Sequence, residues 1–359
     1  MGDVGVDPAF WSGTRVLLTG NTGFKGSWLT LWLLEMGAEV SGLAPGPPTE
    51  PSLYDLAGLA ADVPQAAIDI RDYEAVVATV AERRPEIVIH MAAQPIVRES
   101  FVAPRDTYEV NVMGTVNILD AVRTAGSDVQ AVINVTSDKC YENREWEWGY
   151  REDEAMGGFD PYSNSKGCSE LVTSAYRSSF FGDEGAPHVA SARAGNVIGG
   201  GDWGADRLIP DIMRGAVDGT PVEIRRPDAV RPWQHVLNPL SGYLVLAQRL
   251  GADPSLATAF NFGPVESDAR PVEHIVRAIG DRWSEAIDWH VDAGPHPHEA
   301  TYLKLDSSRA HARLGWQPTW GLDRALGSIV DWYEAHRAGR AMADVTLGQI
   351  RDFVRDGAA

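Results

Sequence analysis

The sequence predicts an α/β fold, a parallel sheet flanked by crossover helices, from three observations. Short β-branched or aliphatic runs alternate with longer amphipathic stretches from residue 14 to about residue 195. A glycine-rich turn joins the first run to the first helical pattern. The 359 residues are 44% hydrophobic and 23% charged, which supports a sizeable core and argues against disorder.

The expected strands are Arg15–Thr19, Glu39–Leu43, Ala66–Ile70, Ile87–Met91, Val129–Val135 and His188–Ala192. Helical periodicity fills the intervals in SWLTLWLLEMG, RDYEAVVATVAERR and TYEVNVMGTVNILDAVRTAG, the first and last stopping at Gly37 and Gly126. Beyond residue 195 the period weakens and Gly, Pro and Arg accumulate, which predicts a smaller mixed α/β C-terminal lobe. PLSGYLVLAQRL reads as a helix and TAFNFG as a strand returning to the sheet, so the lobes interleave. The sheet domain is expected over residues 12–195 with 232–263, the second lobe over 196–231 and 264–345. LDRALGSIVDWYEAHR is the last regular helix expected, followed by one short helix or a loose tail to Ala359.

A formal net charge of −19, from 31 Lys+Arg against 50 Asp+Glu, disfavours a nucleic-acid partner. Two cysteines, Cys140 and Cys168, are too few for a disulfide framework or a metal cluster and suggest reducing, cytoplasmic surroundings. His235 and His298 have no partner at metal-ligand spacing, so no metal is expected. The N-terminus lacks a signal-peptide pattern and its first apolar run is too short to span a bilayer, so no membrane association is expected.

RVLLTGNTGFKGSW places Gly20, Gly23 and Gly26 between a strand and a helix. Missing β-carbons let the chain turn sharply and let backbone N–H groups approach a pyrophosphate, which predicts a Rossmann-type dinucleotide site. The acid that binds ribose hydroxyls in NAD proteins is absent after the second strand, as is an arginine for a 2′-phosphate, so this motif does not decide between NAD, the expected cofactor, and NADP. Asp69 either hydrogen-bonds the adenine amine or caps the following helix.

Tyr162 and Lys166 in DPYSNSKGCSEL lie four apart, on one helical face. A phenol beside an ammonium and a pyridinium ring gains phenolate character and can take a proton from a sugar hydroxyl as hydride leaves the same carbon. Upstream, NVTSDKCYEN ends an apolar run with a hydroxyl, a carboxylate and an amine, at Ser137, Asp138 and Lys139.

In chain order, the glycine turn, Ser137, and Tyr162 with Lys166 resemble the extended short-chain dehydrogenase/reductase superfamily, whose Ser/Thr, Tyr and Lys oxidise hydroxyls. The resemblance runs over nearly the whole chain. It implies that Gly20, Thr22, Gly23, Phe24, Lys25 and Gly26 cradle the cofactor. It further implies that Asp69 and Ile70 flank the adenine and that Ala92, Ala93, Gln94 and Asn111 lie on the nicotinamide side. TSDKCYENREWEWGYRED, TGFKGSW, PPTEPSL, AGNVIGGGDW and RPWQHV together resemble the nucleotide-sugar 4,6-dehydratases, and among them those acting on CDP-glucose. Ser137 stands where Thr is usual and keeps the hydroxyl.

That resemblance implies three stages: oxidation at C4, loss of water across C5 and C6 with Asp138 as acid, and hydride return to C6. Lys139 either takes the C5 proton, which requires desolvation or nearby cations to free its lone pair, or orients the substrate and pairs with Asp138. Between residues 186 and 235 six arginines meet six acidic residues, a neutral stretch in an acidic chain that suits a diphosphate. Arg231 is the first expected ligand of CDP-glucose or another nucleotide-glucose; Arg193, Asn196, Arg207 and His298 are further candidates by resemblance. Arg214 and Arg226 read as surface charges, and Trp146, Trp148 and Trp203 either stack on the ligand or fill the lobe interface. The rival readings are a nucleotide-sugar 4-epimerase and a non-catalytic NAD(P)-binding sensor. The helices around TYEVNVMGTVNILDAV and PYSNSKGCSELVTSAYRSSF suggest a dimer seam, so a homodimer or higher homo-oligomer is expected.

Overall fold

Successive strand residues point to opposite faces, so Val16 and Leu18 join one apolar cluster and Leu17, between them, the other. The computed structural model describes residues 5–183, 185–292, 294 and 302–358. Among these, a parallel seven-stranded sheet comprises β1 (Arg15–Thr19), β2 (Glu39–Leu43), β3 (Gln65–Ala66), β4 (Ile87–His90), β5 (Ala131–Val135), β6 (His188–Arg193) and β7 (Ala259–Asn261). Their spatial order is β7-β6-β5-β4-β1-β2-β3. The order reverses between β1 and β4, the switch point where such sheets open a crevice at their carboxyl ends.

Register assembles that crevice. Thr19 pairs with His90, His90 with Asn134 and Val135 with Ala192, so Gly20, Met91 and Thr136 leave the sheet side by side. The main helices are α1 (Phe24–Glu35), α2 (Tyr73–Arg83), α3 (Gly114–Ala125), α4 (Pro161–Phe180), α5 (Leu208–Asp218), α6 (Leu237–Leu250), α7 (Leu322–Arg337) and α8 (Met342–Gly357). α1 is apolar nearly all round because both sides are covered: Trp28 and Trp32 are buried and the Trp28 indole N–H donates to the Gly200 carbonyl at 2.9 Å.

Three elements differ from expectation. β3 stops at Ala66 rather than reaching Ile70, because the chain is already turning into α2, with the Asp72 N–H donating to the Asp69 carbonyl at 3.0 Å. The long helix expected from Thr107 is interrupted by a π-helical turn at Glu109–Met113, an irregularity frequent near functional sites. The C-terminal segment is a sixteen-residue helix, neither short nor loose, anchored by Met342, Thr346, Ile350 and Phe353; the Phe353 ring meets Trp32 and Trp320 edge-on at 5.7 and 5.4 Å.

His235 is buried edge-on between Trp28 and Trp320, at 5.6 and 4.9 Å. Burial lowers both His235 and His90 to about 3, so both are neutral in the folded chain. The unfolded chain takes up these protons below about pH 6.5. The stability they contribute is therefore full above that pH and lost as pH falls toward 3. Thermal denaturation is expected to show a melting temperature falling from pH 6.5 to about pH 4, with a shallower fall in His235→Phe, whose ring fills the same slot without titrating.

Candidate active site

Gly20 turns the chain at the end of β1 with φ of +70°. A β-carbon there would lie 2.9 Å from the Ala92 backbone, and one on Gly26 would lie 2.1 Å from the Gly20 carbonyl oxygen. Strand end, turn and helix pack this closely only with glycine at both places. Gly23 is different, since an added carbon there meets nothing nearer than 3.4 Å. Its backbone faces a ligand's approach at the N-terminus of α1, where N–H groups and the helix dipole favour an anion. This cradle fits the pyrophosphate of a dinucleotide. Thr22 fastens it by donating to the Gly46 carbonyl at 2.7 Å.

From this turn a cavity of about 1840 Å³ runs across the sheet's carboxyl edge into the C-terminal residues. A single small ligand fills roughly 300–1,000 Å³, so there is room for two. Phe24, Lys25, Ile70, Ala92, Ala93 and Gln94 line it as expected. Burial and the charge of Arg207 lower the Lys25 ammonium to about 8. Asp69 also lines the cavity and is not the helix cap; Asp72 is, accepting from the Ala75 N–H at 3.1 Å. A hydrogen bond from Arg71 holds the Asp69 carboxyl below the usual carboxylate range.

Asn111 corrects an expectation. It is buried behind the cavity, where its amide exchanges two hydrogen bonds with the Gln94 backbone at 2.8 and 3.0 Å and donates to Ser165 Oγ at 2.8 Å. The π turn aims it at protein, so it positions Gln94 and does not itself reach the cavity.

β5 delivers the opening residues of NVTSDKCYEN to the cavity wall. Ser137, Asp138, Lys139 and Tyr162 all line it. Ser137 Oγ accepts from the Lys139 N–H at 3.2 Å and donates to Asp138 Oδ1 at 3.0 Å. Asp138 is wholly buried, and its other oxygen accepts from Asn196 Nδ2 at 3.3 Å. The Lys139 ammonium, about one-third exposed, lies 3.8 Å from Asp138 Oδ1, so the pairing weighed from sequence is present. Burial raises Tyr162, while the charge of Lys139 and a hydrogen bond with Ser137 pull it back. Lys139 and, more weakly, Arg207 favour its phenolate. Lys166 is 6% exposed, one helical turn further on, and burial together with Lys25 lowers it to about 7.

Of the residues expected to hold a nucleotide sugar, Asn196, Arg207 and Arg231 line the cavity. Arg207 is braced by Asp202 at 3.0 Å. Arg193 does not reach it. It is 3% exposed beneath the floor, committed to Glu170 at 2.8 Å, Tyr141 Oη at 2.7 Å and the Glu152 carbonyl at 3.0 Å. Its guanidinium faces these protein partners and not the cavity. His298 lies outside the described residues. Arg214 is paired with Asp211, whereas Arg226 lines the cavity as well as pairing with Asp228 at 3.5 Å. Trp203 lines the cavity and stands edge-on to Tyr333 at 5.1 Å; Trp146 stacks at a tilt on Tyr150 at 5.2 Å, and Trp148 is exposed.

Two contributors escaped the sequence reading. Gly195 presses on Asp138: a β-carbon there would fall 1.8 Å from Asp138 Oδ2. Glu170 sits one turn beyond Lys166 on the same face of α4, a spacing that was legible although its buried partners were not.

A glycine turn at the switch point of a 3-2-1-4-5-6-7 sheet, with Ser137 and Tyr162 on the cavity wall and Lys166 one turn beyond the tyrosine, fits the epimerase/dehydratase branch of the short-chain dehydrogenase/reductase superfamily. The family model for GDP-mannose 4,6 dehydratase matches residues 17–328. The chain is 54% identical over 355 residues to a CDP-glucose 4,6-dehydratase of Salmonella typhimurium, covering 97% of this chain and 98% of that one. Among solved structures, a UDP-glucose 4-epimerase of Thermus thermophilus in complex with NAD is 26% identical, covering 89% of this chain and 99% of that one, with a TM-score of 0.75. A UDP-glucose 4-epimerase of Stenotrophomonas maltophila shares the fold at a TM-score of 0.79 and 22% identity, covering 91% and 99% of the two chains. This chain belongs to the nucleotide-sugar 4,6-dehydratases, which are hydro-lyases.

Proposed function

We propose that the chain converts CDP-glucose to CDP-4-keto-6-deoxyglucose with NAD as its resident cofactor. One observation carries this reading: an acid and an amine, Asp138 and Lys139, share a cavity wall with the hydroxyl and phenol of Ser137 and Tyr162. An epimerase needs only the latter two. Residues 12–195 with 232–263 supply the dinucleotide half, and 196–231 with 264–345 the substrate half. The glycine turn with Thr22, Phe24 and Lys25 holds the pyrophosphate, Asp69 and Ile70 the adenine end, and Ala92, Ala93, Gln94 and Lys166 the nicotinamide end. When bound, the dinucleotide accepts hydride from C4 of the hexose and returns it to C6.

The chain's own groups move the protons. Tyr162 takes the C4 hydroxyl proton, with Ser137 hydrogen-bonded to it and Lys139 favouring its phenolate. The resulting ketone acidifies the C5 proton; with the ammonium's proton passed across the pair to Asp138, the Lys139 amine removes that C5 proton and Asp138 protonates the departing C6 hydroxyl, which leaves as water and restores the ion pair. Neighbouring carbons are thus served by neighbouring side chains, 3.8 Å apart. Asn196, Arg207 and Arg231 hold the diphosphate, a guanidinium fork matching its oxyanions.

Mass and NMR analysis of CDP-glucose, UDP-glucose and dTDP-glucose incubated with enzyme and either NAD or NADP tests the reading. A 4-keto-6-deoxy product from CDP-glucose with NAD is expected; a C4 epimer, or reduction of cofactor without turnover, contradicts it.

Among the described residues no helix is long and apolar enough to cross a membrane. A cytoplasmic setting suits the two free cysteines. Leu171 and Phe180 on α4 and Met113 beside α3 are half-exposed or more, and a second copy packing on these helices would cover them. Light scattering is expected to show a dimer that Leu171→Arg converts to monomer.

A further inference from the structure

α4 carries the phenol and the amine, whereas the turn that follows β5 carries the hydroxyl, acid and second amine, so catalysis requires these two segments to keep a fixed spacing. Tyr162, Lys166 and Glu170 stand at i, i+4 and i+8 on one face of α4. Glu170 is 4% exposed and does not reach the cavity. Its Oε1 accepts from Thr136 Oγ at 2.5 Å, and Thr136 immediately precedes Ser137. Its Oε2 accepts from Ser191 Oγ at 2.7 Å and from Arg193 Nη2 at 2.8 Å, both on β6. Arg193 carries the connection onward to Tyr141 Oη, two residues past Lys139, and lies 5.0 Å over the Tyr141 ring.

We propose that Glu170 is the positioning residue that registers the Tyr162–Lys166 helix against the Ser137–Lys139 strand end, acting through Thr136 on one side and through Arg193 and Tyr141 on the other. A buried carboxylate is costly unless its oxygens are satisfied, and here both are. Burial pushes Glu170 up, but the charge of Arg193 and three hydrogen bonds more than offset it, so its carboxyl stays below the usual range and the clamp is ionic at neutral pH. The two ends are unequal in consequence. The bond to Ser191 ties α4 to the sheet in general. The bond to Thr136 alone runs straight to the residue beside the reacting hydroxyl. Small displacements there matter, since misplacement of about 1 Å can cost about 10²-fold in rate.

Two single-atom-scale substitutions separate these ends without leaving a buried charge unpaired. Thr136→Val removes the hydroxyl that reaches Glu170 toward Ser137; Ser191→Ala removes the one on the opposite side. Amide hydrogen exchange of the unliganded protein is read first. Exchange at Asp138–Tyr141 is expected to quicken about tenfold in Thr136→Val and to stay at the native rate in Ser191→Ala. Equal exchange in the two variants overturns the inference. This arm does not depend on the reaction.

The second arm rests on the proposed dehydratase reading. With CDP-glucose deuterated at C4, Thr136→Val is expected to lose about tenfold in kcat, to keep the native KM, and to show a larger isotope effect as C4 oxidation becomes limiting. A merely structural role would lower the active fraction and leave the isotope effect of the surviving molecules unchanged; an unchanged isotope effect, with lowered or with native kcat, overturns the inference. Failure of the unsubstituted protein to make a 4-keto-6-deoxy sugar counts against the dehydratase reading, and the exchange arm still decides the role of Glu170.

Discussion

Lys139→Met is expected to abolish exchange of solvent hydrogen into C5 while oxidation at C4 persists. Methionine keeps the length and apolar stem of the side chain but offers no lone pair that can hold a proton at neutral pH. A positioned general base contributes roughly 10²–10⁴-fold, so the dehydration step should fall by about that factor. The same substitution removes the cation that most favours the Tyr162 phenolate. Losing a positive neighbour raises the phenol, so the remaining C4 oxidation should need a higher pH than the native enzyme requires. Deuterium incorporation followed by NMR, together with the pH dependence of reduced-cofactor absorbance, reads both effects. C5 exchange continuing at the native rate would assign the proton to a different group.

Gly195→Ala is expected to stop water loss by acting on a residue it does not replace. Its new β-carbon would lie 1.8 Å from Asp138 Oδ2 and 1.9 Å from Cγ, far inside van der Waals contact. Asp138 has nowhere nearby to go, since Ser137 and Asn196 hold its two oxygens at 3.0 and 3.3 Å and the residue is wholly buried. Either the carboxyl rotates away from its donors or the backbone at Gly195 retreats and draws Asn196 with it. Both outcomes withdraw the acid from C6. Overpacking of this kind costs about 1–3 kcal/mol of stability, which a folded variant survives, while the elimination should slow about 10²-fold or more. Product analysis is expected to show C4-oxidised sugar accumulating ahead of the 4-keto-6-deoxy product. Native turnover by this variant would mean that Asp138 is not placed as described.

The strands and the glycine turn were legible because each follows a local rule: short apolar runs for buried strands, a period near 3.6 between them, and glycine where a β-carbon has no room. Ser137, Asp138, Lys139 and Tyr162 were legible through the resemblance to the nucleotide-sugar 4,6-dehydratases, and the structure brings all four to one cavity wall. Arg193 could not be placed from sequence because a guanidinium's role depends on what faces it, and Glu170 was hidden because its buried partners Thr136, Ser191 and Arg193 come from other elements. Asn111 was misplaced for a related reason. A π turn rotates its side chain away from the direction an uninterrupted helix predicts. The C-terminal helix went unread although Met342, Thr346, Ile350 and Phe353 form a helical stripe, because the partners that fix it, Trp32 and Trp320, lie far away in sequence.

That one hexose is addressed by Tyr162, Asp138 and Lys139 together is tested most directly by following a single label. CDP-glucose carrying deuterium at C4 should yield a product that has lost one water and carries that deuterium at C6, with solvent hydrogen at C5. Deuterium retained at C4 of a sugar that has kept all its oxygens would contradict the account.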